Sequence, residues 1–79
     1  MEKKTISTKF GRLVSMESVE GIAKLIDKDK ELVAIAITNC QVYNAYAIGV
    51  SICRNFNLEN MEYYAAEIRS IIHKSETQY

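Results

Sequence analysis

Between Glu31 and Arg54 the chain carries no charged residue, so the core is expected to be built around residues 32–53. Within that run Leu32 to Thr38 alternates large with small residues, and Tyr46 to Cys53 does the same, a period-2 pattern that predicts two strands. If the two segments pair, Val33, Ile35 and Ile37 share one face with Tyr46, Ile48, Val50 and Ile52. The opposite face is then made of small residues: Ala34, Ala36, Ala47, Gly49, Ser51 and Cys53. The alternative is helical. Val42, Tyr46, Gly49 or Val50, Cys53 and Phe56 also fit a helical stripe, Asn39 is a good helix cap, and a chain without proline suits a small all-α bundle. The density of β-branched residues and the agreement between the two alternations favour strands.

The flanks supply the remaining elements. Ile6, Phe10, Val14 and Met16 fall at even positions and predict an edge strand over residues 5–16, with Lys9 and Arg12 discouraging stray pairing. Ser15 or Ser18 caps a helix running to about Asp27, whose apolar stripe is Met16, Val19, Ile22, Ala23 and Ile26. Residues 27–31 read as a polar connector, 39–44 as a reversal and 54–57 as a turn. Asn57 is expected to cap the last helix, with Leu58, Met61, Ala65, Ile68 and Ile72 along one face. The expected fold is therefore α+β: a small βαββα two-layer domain over residues 1–79, with both helices on one face of a short sheet.

Size sharpens this picture. A chain of 79 residues lies near the lower limit for a self-sufficient core, burying only about 60% of its unfolded surface. A second copy covering the small-residue face would remedy that, which makes the chain an expected homodimer with Ala34, Ala36, Ala47, Gly49 and Ser51 at the interface. Formal net charge is zero, although Lys3, Lys4, Lys9 and Arg12 against Glu2 make the first stretch basic. The uncharged run is not expected to cross a membrane, because Asn39, Gln41 and Asn44 lie near its middle. Cys40 and Cys53, with no signal-peptide pattern ahead of them, read as free thiols in the reducing cytoplasm; a Cys40–Cys53 disulfide is the alternative.

Candidate chemistry is sparse. His73, the only histidine, falls near the end of the last helix, where the dipole alone favours it. Cys40, Cys53 and His73 show no metal-ligand spacing, and Gly11, Gly21 and Gly49 are too scattered for a phosphate loop, so no catalytic residue, metal or cofactor is expected. Among the five tyrosines, Tyr43 in the reversal and Tyr63 off the apolar stripe of the last helix are expected to be exposed and to anchor a protein partner. The leading expectation is a non-enzymatic regulator, inhibitor or adaptor that binds another protein. One motif offers a second reading. Ala45-Tyr46-Ala47-Ile48-Gly49-Val50-Ser51 resembles the core of a helix-turn-helix, which implies a DNA-binding regulator with a degenerate motif around residues 45–58. The stretch departs from that pattern at Asn55 and offers Arg54 as its only cation for phosphate, which makes nucleic acid the lesser expectation.

Overall fold

The computed structural model describes residues 4–77, so Glu2 and Lys3 of the basic stretch, and Tyr79, lie outside the described residues. The class is α+β, and the order of elements is ββαααα in place of the expected βαββα.

The expected N-terminal edge strand is a hairpin: β1 (Thr5–Ser7) pairs antiparallel with β2 (Leu13–Ser15), with Thr5 opposite Ser15, Ile6 opposite Val14 and Ser7 opposite Leu13. The chain turns because Gly11 takes φ 86°, a left-handed conformation that glycine adopts without steric cost. Thr8 closes the loop, its N–H donating to the Arg12 carbonyl and its hydroxyl oxygen accepting from the Arg12 N–H.

Helix α1 (Met16–Ile26) begins where Ser15 accepts the Ser18 N–H, and it buries Val19, Ile22, Ala23 and Ile26 as the stripe predicts. It ends at Asp27, whose φ of 56° lets the Lys28 N–H reach back to the Ala23 carbonyl.

The two expected core strands are helices. Asp29 accepts the Glu31 N–H and opens α2 (Lys30–Thr38). Asn44 accepts the Tyr46 and Ala47 N–H groups and opens α3 (Ala45–Asn55). Buried positions then follow helical spacing: Val33, Ala36, Ile37 and Cys40 in one segment, Ala45, Ile48, Gly49, Ile52 and Cys53 in the other. The size alternation carried no information about burial, since Ile35 is 56% exposed while its small neighbour Ala36 is buried. Each segment contains both periods, and a side-chain cap at its N-terminus selects the helical one.

Asn57 ends α3 instead of starting the last helix. Its φ of 57° allows the Leu58 N–H to bond the Cys53 carbonyl. Helix α4 (Met61–Thr77) begins three residues later than expected, after Asn60, and buries Ala65, Ile68 and Ile72.

Helices α3 and α4 form the most extensive pair, with α1 packed against both α2 and α4. Gly49 faces Ala65, and Cys53 Sγ lies 3.9 Å from the Met61 carbonyl, so the pair is antiparallel. A Cβ on Gly49 would stand 2.7 Å from the Ala65 Cα, a separation that only glycine permits. The hairpin lies on the outside of this helical layer, β1 against α2 and β2 against α1 and α4. It is fixed at both ends: the Met16 N–H donates to the Lys4 carbonyl, and the Lys9 N–H donates to the Cys40 carbonyl at 2.9 Å.

Candidate functional site

The Lys9–Cys40 hydrogen bond brings the hairpin turn to the connector between α2 and α3, and these two segments form the candidate site. Phe10 is 67% exposed in the turn, Leu13 is 62% exposed at the start of β2, and Tyr43 is 58% exposed in the connector. Gly11, Arg12, Leu13 and Tyr43 line a single shallow depression. The Arg12 guanidinium carbon lies 5.3 Å from the centre of the Tyr43 ring, a cation–π distance that fixes the tyrosine beside the hairpin. The local sequence explains the exposure. The turn at Gly11 leaves Phe10 with no layer to pack into, and pairing in the β1–β2 register sends Val14 inward, so its neighbour Leu13 faces out.

The residues expected from the sequence fall in several places. Tyr43 and Tyr63 are both exposed, but they belong to different surfaces. Tyr43 precedes α3, whereas Tyr63 stands in the first turn of α4 in an edge-to-face contact with Tyr64 at 5.1 Å between ring centres. The antiparallel packing of α3 on α4 puts them toward opposite ends of that pair.

The residues expected at a dimer interface do not share a sheet face, because they lie on two helices. Ala36 and Gly49 are buried within the chain, Gly49 against Ala65, while Ala34, Ala47 and Ser51 are half-buried. Ser51 Oγ is 3.2 Å from Cys40 Sγ, so part of that set is engaged internally.

The expected helix-turn-helix around residues 45–58 loses its turn, because Gly49 sits inside the continuous helix α3. A short connection of the right length occurs earlier, where residues 27–29 join α1 to α2. The exposed positions of α2 are Lys30, Glu31, Leu32, Ile35 and Thr38, which offer one cation to a phosphate backbone.

Cys40 and Cys53 are buried free thiols, so the alternative disulfide is not formed. Burial pushes the Cys53 thiol above its ordinary value, which keeps it protonated and a poor nucleophile. His73 is exposed on the last turns of α4. Among the described residues there is no group of three or more His, Cys, Asp or Glu side chains placed to hold a metal, and no helix is long and apolar enough to cross a membrane.

Phe10, Arg12 and Leu13 were not singled out as a site by the pattern of the sequence. The signal that marks them is Gly11, a lone glycine interrupting an alternating run and therefore a candidate turn. Comparison of the chain with protein-family models, with curated proteins and with solved structures found no match.

Proposed function

We propose that this protein is a non-enzymatic regulator, inhibitor or adaptor that acts in the cytoplasm by binding another protein through the hairpin turn and the α2–α3 connector. The observation that carries the reading is the gathering of Phe10, Leu13 and Tyr43, all more than half exposed, on two segments tied together by the Lys9–Cys40 hydrogen bond. Large side chains with few rotatable bonds are efficient binding anchors, because little conformational freedom is lost when they are covered. The two free thiols are in keeping with a reducing compartment.

Affinity capture from extracts of the source cell tests the reading when the wild-type chain is run beside Phe10→Asp and Leu13→Asp. A protein retained by the wild type and lost from both variants is the expected result. Equal retention by all three would assign binding to another surface.

Self-association belongs to the proposal as well, with α2 as its surface in place of a sheet face. From Leu32 to Ile37 this helix is apolar on every side, and Leu32 and Ile35 remain more than half exposed. An all-round apolar helix is ordinarily covered. Sedimentation equilibrium of the wild type against Ile35→Glu reads this directly: a dimer converted to monomer is expected, and a wild-type monomer at tens of micromolar would remove the dimer from the reading.

A further inference from the structure

The charges carried by the two segments that form the candidate site are of one sign. Along the sequence, residues 1–16 hold four cations against one carboxylate and residues 17–79 hold six cations against nine carboxylates, so the first stretch is positive by three and the remainder negative by three. The site itself takes Lys9, exposed in the turn, and Arg12, held against Tyr43, while the connector that completes it lies inside the uncharged run. No carboxylate occurs in residues 4–16 or 32–53. The face is thus apolar and aromatic with two cations at its edge and no anion among its own residues.

On the strength of the protein-binding reading, we infer that the partner of this face is an acidic peptide segment in which an apolar anchor is flanked by aspartate or glutamate. The anchor covers Phe10 and Leu13, and a flanking carboxylate meets Lys9, which is exposed in the turn. Charge complementarity of this kind selects the partner and speeds encounter more than it adds affinity, which comes from the covered apolar surface. A nucleic acid is the poorer match. Two cations neutralise few phosphates, Leu13 gives a base nothing to stack on, and the negative remainder of so small a particle repels a polyanion. A second copy of the chain is also the poorer match, since the face has no carboxylate to answer its own cations across a symmetry axis.

The test is selection from a random-peptide phage library on the full chain, followed by fluorescence anisotropy of a labelled synthetic peptide bearing the enriched consensus. The expected consensus places an apolar residue beside Asp or Glu. Phe10→Ala is expected to weaken the peptide about thirtyfold, and Lys9→Glu about tenfold, with affinity also falling as salt is raised. Both positions are exposed, and an unchanged melting temperature confirms that the variants fold. A consensus without carboxylates, or one indifferent to Lys9→Glu, overturns the acidic partner while sensitivity to Phe10→Ala keeps the protein-binding reading. Enriched peptides indifferent to both Phe10→Ala and Leu13→Ala, or no enrichment at all, overturn the two together. Tighter binding of a labelled single-stranded oligonucleotide than of the selected peptide assigns the face to nucleic acid and overturns both.

Discussion

The two ends of hydrophobic use in this molecule are the α3–α4 interface and the hairpin turn. At the first, Ile48, Ile52, Ala65, Ile68 and Ile72 are buried, and Gly49 lets the two backbones approach until a single methyl group would not fit. At the second, Phe10 and Leu13 stand in solvent although they are as apolar as the residues that built the core. The difference is periodicity. Residues spaced three and four apart along a capped helix return to one face and reinforce each other's burial, whereas a residue in a tight turn has no second layer to meet. Apolar side chains in the first setting hold the fold, and those in the second stay in solvent.

The contrast can be broken most severely at its buried end. Ile52→Ala is expected to cost about 2–5 kcal/mol in urea denaturation, because a fully buried side chain leaves a cavity between α3 and α4. Gly49→Ala is expected to destabilise by about 1–3 kcal/mol despite the better helix propensity of alanine, since its methyl would meet the Ala65 backbone. A stability equal to or above wild type would show that α3 and α4 are not in close contact there.

The raised Cys53 thiol gives a pH signature to the same interface. Its folded value lies above its unfolded one, so its contribution to stability is complete below about pH 9 and is lost as pH rises through the folded value. Stability profiles of wild type and Cys53→Ala are expected to differ in slope only in that alkaline range, and parallel profiles would place the thiol in water. The smallest effect belongs to the exposed end. Phe10→Ala is expected to move stability by no more than about 0.5 kcal/mol, and a larger loss by thermal melting would mean that Phe10 packs inward and is no part of a docking face.

Much of this was legible in the chain before its fold was known. Ser15 before an apolar stripe announced α1, and Ala65, Ile68 and Ile72 announced α4, because in each case only one periodicity fits and polar residues mark the opposite face. Residues 30–38 and 45–55 were not legible in the same way. They carry so few polar residues that period 2 and period 3.6 both survive, and the β-branched content of 32–38 points to the wrong one. The deciding groups were Asp29 and Asn44, whose side chains satisfy the first free N–H groups of α2 and α3. Of the candidate site, the exposure of Tyr43 was legible from its place in a polar reversal. Phe10 was hidden by the even spacing of Ile6, Phe10 and Val14, which reads as one strand until Gly11 is taken as a turn.

The hydrogen bond from Lys9 to Cys40 has a thermodynamic consequence of its own. The segments that carry Phe10 and Tyr43 are far apart along the chain and are tied together only when the hairpin has docked on the end of α2, so a ligand that requires both recognises the native state and not the unfolded one. Occupancy and folding are then a single linked equilibrium. A ligand present at one hundred times its dissociation constant adds about 2.7 kcal/mol to the stability of the chain, a large fraction of the total for a domain of this size. For a chain of this length, the level of any such ligand would govern how much of it stays folded as well as how much of it is engaged.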